Sequence, residues 1–302
     1  MSKNNKLKNK ILIIGLGGMG KAHLESFVNK KFIIHIVEKN KKLKPNIIKK
    51  KKNIFFFNKL PNRQRYLLTI CATRSKERFL TIKKFLENNS TKFLLLEKFC
   101  FYSVSQFEKF KNNFNSKTLT FVNSWAYIIA KDIKGFNKNQ KFKLVCEISE
   151  GNLLSNISHF FHMFGYLNNN DSIKKFYATN YKIVKSQKRE SYDELKGVIR
   201  LEDMNKNSLK IISKKNMVDI MNFHIYQVNP NVCYTILIKK DYKICYHKNN
   251  KLTKITKFPF SKKTSFAFLQ QCIEKKYDYL PNFINDYSLS KKILSNLDVK
   301  IP

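Results

Sequence analysis

Residues 11–20 read Ile-Leu-Ile-Ile-Gly-Leu-Gly-Gly-Met-Gly, an apolar run that breaks directly into Gly-x-Gly-x-x-Gly. The run 11–14 is too short to span a bilayer and too apolar for a surface loop, so it reads as a strand covered on both faces. Gly15 permits a sharp turn out of that strand, Gly17 lets the backbone approach a ligand, and Gly20 lets the following helix lie close to the strand. The N–H groups at the start of such a helix, with the positive end of its dipole, suit a pyrophosphate. Gly18 adds a further small residue beside Met19, so four of the chain's eight glycines fall within six positions. A glycine motif alone is weak. Glu38 strengthens it, 23 residues after Gly15 and at the end of the next apolar run. An acid there accepts hydrogen bonds from the ribose hydroxyls of an adenosine and repels a 2′-phosphate. The pattern predicts a dinucleotide site that favours NAD over NADP. Lys39 keeps NADP open, and Glu38 also reads as a surface carboxylate paired with that lysine.

The first 122 residues alternate short apolar runs with amphipathic stretches, the rhythm of a parallel sheet. Strands are predicted over 11–14, 32–37, 54–57, 67–71, 93–96 and 119–122, with helices over 18–29, 75–88 and 103–113. From residue 123 the rhythm changes to long, partly alternating β-branched and aromatic runs joined by polar turns such as Asn205-Lys206-Asn207 and 229–231. These predict strands over 142–148, 174–184, 197–203, 208–213, 218–228, 232–238 and 242–246, followed by helices over 264–276 and 286–297. Consecutive strands with short connections make a mostly antiparallel sheet. The expected fold is α/β, an N-terminal Rossmann doubly wound parallel sheet (1–122) plus a C-terminal α+β domain with a mostly antiparallel open sheet (123–302). The lysine-rich segment 41–52 reads as a solvated loop.

Charge needs separate treatment, because a formal net charge of +38 is the footprint of nucleic-acid or anionic-membrane binders. Yet only six of the 59 basic residues are arginines, and the lysines accompany abundant Asn, Ile and Phe along the whole chain. That bias follows AT-rich codons, and specific nucleic-acid readout favours Arg for its bidentate fork. A solvated lysine surface is the reading adopted, with nucleic acid and membrane set aside as partners. No apolar run is long enough to span a bilayer, and the polar, basic start of the chain is unlike a secretory leader; the expected location is cytoplasmic. The six cysteines are scattered without metal-ligand spacing, so reduced thiols and no metal are expected.

Beyond the glycines, the chain resembles the Gfo/Idh/MocA oxidoreductases over most of its length. The resemblance rests on Gly17-Gly18-Met19-Gly20-Lys-Ala-His23, on Ile70-Cys71-Ala72-Thr73, on Leu96-Glu97-Lys98-Phe99, on Asn123-Ser-Trp125, and on a helix over 151–167. It implies a nicotinamide cofactor, a sugar, polyol or sugar-nucleotide substrate, and a homodimer or homotetramer through the C-terminal sheet. It also implies that Ala72, Thr73, Glu97 and Lys98 contact the cofactor and that the helix carries an active-site histidine. There are departures. Phe99 stands where the family has proline, Arg78 where many members have histidine, and Arg74 where they have proline or asparagine. Ser155-Asn-Ile-Ser158-His159-Phe-Phe-His162 replaces Asp-x-Gly-x-His-x-x-Asp, so both carboxylates are changed.

Hydride transfer involving a hydroxyl needs a group to take or return a proton. Lys98 ends a strand whose C-terminal edge faces the cofactor crevice, and it can also be one more surface lysine. His159 and His162, three apart, share a helix face and titrate near neutrality; either can instead be packed among Phe160, Phe161 and Phe164. Asn123, Trp125, Tyr127 and Asn156 are candidate substrate ligands, and Trp125 can equally be core. His23 is expected near the cofactor; His35, His224 and His247 are assigned no chemistry. The expected activity is hydride transfer between a nicotinamide cofactor and a sugar-like or nucleotide-sugar hydroxyl or carbonyl, with Lys98 and His159 managing the proton. The rival reading is a non-catalytic dinucleotide-binding sensor or structural subunit.

Overall fold

The computed structural model describes residues 9–43, 51–169, 173–185, 193–228 and 231–297. Residues 229–230 of the turn 229–231, and 44–50 of the lysine-rich segment 41–52, lie outside the described residues. Contacts divide the chain into two compact units, Met1–Asn123 with Phe260–Ile284, and Ser124–Pro259 with Asn285–Pro302.

The first unit holds a six-stranded sheet of β1 (Lys10–Ile14), β2 (Ile33–Val37), β3 (Ile54–Phe57), β4 (Arg65–Cys71), β5 (Ser90–Leu96) and β6 (Leu119–Val122). The order is β3-β2-β1-β4-β5-β6, with every neighbouring pair parallel. That is the Rossmann order. Ile11, Leu12 and Ile13 are fully buried, as a strand covered on both faces requires. The crossover helices α1 (Gly18–Phe27), α2 (Ser75–Asn88) and α3 (Val104–Asn113) bury Leu24 and Phe27, Phe79, Ile82 and Phe85, and Phe107 and Phe110 respectively. The order reverses between β1 and β4, so the crevice lies at the carboxyl ends of these strands. Gly15, Glu38, Ala72, Lys98 and Asn123 all follow such ends.

One expected boundary is corrected. Segment 260–284, assigned from sequence to the second domain, packs in the first unit. Its helix, α6 (Ser261–Ile273), buries Phe268 and Leu269, and beyond it the Val122 N–H donates to the Pro281 carbonyl at 2.9 Å. An apolar helix face announces burial without saying against what.

The second unit is built on an eight-stranded sheet of β7 (Phe142–Ser149), β8 (Ile173–Lys185), β9 (Asp193–Asp203), β10 (Ser208–Lys214), β11 (Met221–Gln227), β12 (Val232–Ile238), β13 (Lys243–Lys248) and β14 (Lys251–Lys257). Its order is β14-β13-β12-β11-β7-β10-β9-β8, antiparallel except for β7 beside β10. Alternation decides its faces: Phe142, Leu144, Cys146 and Ile148 of β7 are buried, while the residues between are not. Helices α4 (Trp125–Lys131) and α5 (Leu153–Leu167) belong to this unit. Two elements escaped the sequence reading. Strand β14 has Leu252 and Ile255 exposed and carries lysines throughout, as an edge strand does; α4 is only seven residues long, too short for helical periodicity to register. All six cysteines are free, and no described helix is long and apolar enough to cross a membrane.

Candidate functional site

The glycine loop has two kinds of glycine. Gly15 sits at φ +88°, where side chains are disfavoured, and a Cβ there would lie 3.0 Å from the Ala72 carbonyl and the Thr73 nitrogen. A Cβ on Gly20 would meet the Gly15 carbonyl oxygen at 2.0 Å. These two are demanded by packing. Gly17 and Gly18 have nothing within 4 Å of where a Cβ would stand, so their missing side chains leave open space beside the first turn of α1. That turn has no side-chain cap: Gly17 is its N-cap, and no acid stands in the turn. Uncapped N–H groups, a helix dipole and open space together fit a pyrophosphate. Met19, 42% exposed, borders the same turn.

Glu38 is tied to this loop. Its carboxylate accepts from the Leu16 N–H at 2.7 Å and the Asn40 N–H at 2.9 Å. Among the described residues it forms no ion pair with exposed Lys39. The carboxylate thus stands beside the glycine turn, at the end of the strand neighbouring β1. Ala72 donates its N–H to the Ile14 carbonyl at 2.8 Å, holding the loop after β4 against the glycine turn.

After β5 the chemistry is buried. Glu97, 7% exposed, lies 2.7 Å from His23 Nε2 and accepts from the Asn123 amide at 2.7 Å. His23 Nδ1 lies 2.7 Å from the Ser265 hydroxyl, and the Asn123 amide also donates to the Ser261 hydroxyl at 3.0 Å. Burial pushes the Glu97 carboxyl up, but the bonds to His23 and Asn123 and the nearby charges of His23 and Arg78 outweigh it, leaving it below its ordinary value. Asn123 was expected to bind substrate. Its amide is instead engaged inside the first unit.

Arg78, 3% exposed, reaches from α2 into the same region. Its guanidinium donates to the carbonyls of Thr73, Glu97 and Phe99, and to that of Cys100 at 3.2 Å. Half-buried Lys98 therefore lies between two residues whose main chain one buried cation clamps. Sequence reading marked Arg78 only as a departure from the family pattern.

In the second unit, α5 carries the histidines. His159 is 4% exposed; its Nδ1 lies 3.2 Å from the Ser124 hydroxyl, and its ring centroid is 4.6 Å from that of Trp125. Trp125 also meets Phe258 at 5.3 Å and Phe223 at 6.2 Å. Tyr127, buried, meets Tyr166 edge-on at 4.9 Å. The Asn156 amide turns back to the Asn152 carbonyl at 2.9 Å. His162 corrects an expectation: it lies 2.8 Å from the Asp286 carboxylate, each side chain 1% exposed. That contact joins α5 to the last helix, α7 (Phe283–Asn296), with both side chains buried. A residue missed from sequence, Glu194 on β9, accepts from the N–H groups of Leu154 and Ser155 at 3.0 and 3.4 Å, capping α5 from another strand. No local pattern signals a cap supplied some 40 residues downstream. Among the described residues no cluster suited to a metal ion occurs.

No family model matches the chain, and no curated protein matches it by sequence. Solved structures do match. A biliverdin reductase from Synechocystis, described in complex with biliverdin and NADP+, superposes with a TM-score of 0.68 at 10% identity, covering 95% of this chain and 98% of that one. UDP-N-acetylglucosamine 3-dehydrogenase from Acidithiobacillus ferrooxidans gives 0.68 at 8% identity, with 94% and 97% covered. The transcriptional regulator Gal80p from Kluyveromyces lactis gives 0.67 at 12%, with 97% and 95% covered. At such identities the likeness is one of fold, and it extends over both units.

Proposed function

We propose that this chain is a nicotinamide-dependent oxidoreductase of the Gfo/Idh/MocA type, binding NAD or NADP at the loop between β1 and α1. The observation that carries the reading is the division among the glycines: Gly15 and Gly20 close the turn, while Gly17 and Gly18 leave open space before an uncapped helix end. Glu38, held on the loop by the Leu16 N–H, favours a ribose with free hydroxyls and hence NAD. The bound nicotinamide would supply or accept a hydride. The dehydrogenase and the reductase among the structural matches support this class, and the UDP-N-acetylglucosamine 3-dehydrogenase supports a CH–OH substrate of sugar or sugar-nucleotide type. Lys98 takes the proton at Nζ as the free amine or returns it as the ammonium, with its main chain held by Arg78. His159, oriented by Ser124 and Trp125, orients the substrate oxygen or shares that role.

A second reading, a dinucleotide-binding protein without turnover, is favoured by one observation. His162 is sealed against Asp286, which leaves α5 with one candidate imidazole. The match to a transcriptional regulator is in keeping with it.

Calorimetric titration with NADH and NADPH tests the shared premise, and binding of neither would overturn both readings. Turnover of a panel of sugars and sugar nucleotides separates them. In the enzyme, Lys98→Ala keeps cofactor affinity and lowers kcat by ~10²-fold or more, the scale of general acid–base catalysis; unchanged turnover would remove Lys98 from its role.

A further inference from the structure

Beyond the C-terminal end of α4, within the second unit, lies a cavity of about 330 Å³, at the lower end of the range for small-molecule pockets. One face of the sheet forms its floor. Cross-strand pairing sets Tyr234 opposite Lys248 and, one row along, Ile236, Tyr246 and Lys254 side by side. Strand alternation puts these five side chains on the same face. The loop after α4 forms the wall: Gly135, at φ +73°, turns its carbonyl to accept from the Tyr234 hydroxyl at 2.6 Å.

The charges do not balance. Asp132, the cavity's carboxylate, is occupied by the Lys254 ammonium at 3.0 Å and the Tyr246 hydroxyl at 3.4 Å. Lys134 and Lys248 also line the cavity, and neither has a carboxylate partner among the described residues. The Lys248 ammonium lies 5.7 Å from the centre of the Tyr234 ring. His247, another lining residue, has a buried Nδ1 with no partner among the described residues. Both phenols stay neutral, since burial raises Tyr234, and burial with the charge of Asp132 raises Tyr246 further. Lys134 and Lys248 are both exposed, where an isolated ammonium is screened by salt. Beside a concave, ring-walled cavity their field is focused.

We propose that this cavity binds a small planar dianion, of the aryl phosphate kind, with its ring against Tyr234 and Tyr246 and its anionic group on Lys134 and Lys248. Trp125 and His159 meet at the other end of α4, a helix about 10 Å long, so this is a separate site. It does not depend on the dinucleotide reading.

The test is calorimetric titration of the full chain with phenyl phosphate. One site per chain is expected, with affinity unchanged by saturating NADH. Lys134→Ala with Lys248→Ala is expected to weaken binding at least tenfold, whereas removing two exposed lysines elsewhere, Lys174→Ala with Lys175→Ala, leaves it within twofold. Cyclohexyl phosphate and inorganic phosphate are expected to bind at least fivefold more weakly than phenyl phosphate. Equal weakening by the two double variants would mean that the general lysine field attracts the anion, and would overturn the site. Absence of binding, displacement by NADH, or equal affinity for the three phosphates would overturn it as well.

Discussion

In the first unit the groups proposed to meet a ligand are main-chain N–H groups, positioned by glycines that touch each other across a turn. In the second the proposed group is a side chain, His159 on α5, a helix held by partners far away in sequence: Ser124 and Trp125 at His159, Glu194 at its start, and Asp286 at His162. A main-chain site depends on which side chains are absent, and few substitutions at its glycines are neutral. A side-chain site on a helix depends on every distant partner that holds the helix in place, so its weak points are scattered. The two regions should therefore fail differently.

The largest effect is expected in the second unit. His162→Leu leaves the buried Asp286 carboxylate, among the described residues, with only the Ser290 hydroxyl, at 3.1 Å, and should cost about 3–5 kcal/mol in urea unfolding. Adding Asp286→Leu should recover much of that, because two apolar groups need no partner. If the single variant is as stable as the parent, the view of α5 as held by remote partners breaks. Next comes Gly20→Val, whose Cβ would stand 2.0 Å from the Gly15 oxygen; roughly 3 kcal/mol of stability should be lost through forced backbone shifts, with NADH affinity down more than tenfold. Gly18→Ala, which meets nothing, sharpens the contrast: stability within about 0.5 kcal/mol but weaker NADH binding. Arg78→Ala leaves the Thr73, Glu97 and Phe99 carbonyls without their charged donor and should cost about 2 kcal/mol, read by thermal melting, with partial recovery in Arg78→Lys.

A further effect is in pH dependence. Burial, with the charge of Lys10, lowers His35 from 6.5 to about 4. The unfolded chain therefore takes up this proton at a higher pH than the folded one. The contribution is present above about pH 6.5 and is lost as pH falls towards about 4. Glu97, held below its ordinary value, acts in the same direction at lower pH. Unfolding of His35→Asn should show a shallower loss of stability between pH 6.5 and 4 than the parent; equal slopes would remove His35 from the account.

Much of the first unit was legible because its signals are local. The strand over 54–57, the helix over 75–88 and the strand over 119–122 were read to the residue, each bounded by its own polar or turn-forming neighbours. The glycine loop announced itself because no other local need brings four glycines together after an apolar run. The second unit was legible as a succession of strands, through alternation, but not as a neighbourhood. Nothing near Asn123 indicates that its amide meets Glu97 and Ser261, and nothing near His162 points to Asp286. Sequence spacing placed His159 and His162 on one helix face; burial then gave them different surroundings, with Trp125 and Ser124 around one and a carboxylate against the other.

By itself, the amino-acid sequence settled most element types, β14 and α4 excepted, the turn after β1, and the change from parallel to mostly antiparallel rhythm near residue 123. These follow from short-range rules: backbone sterics, a side-chain period of two or 3.6, and the special freedom of glycine. Tertiary structure alone decided that 260–284 packs with the first unit, that Arg78 clamps the main chain around Lys98, and that a cavity with unbalanced lysines forms beyond α4. Each of those joins residues far apart in the chain. Hydrophobic burial is non-directional, so a sequence records that a face must be covered but not which face covers it.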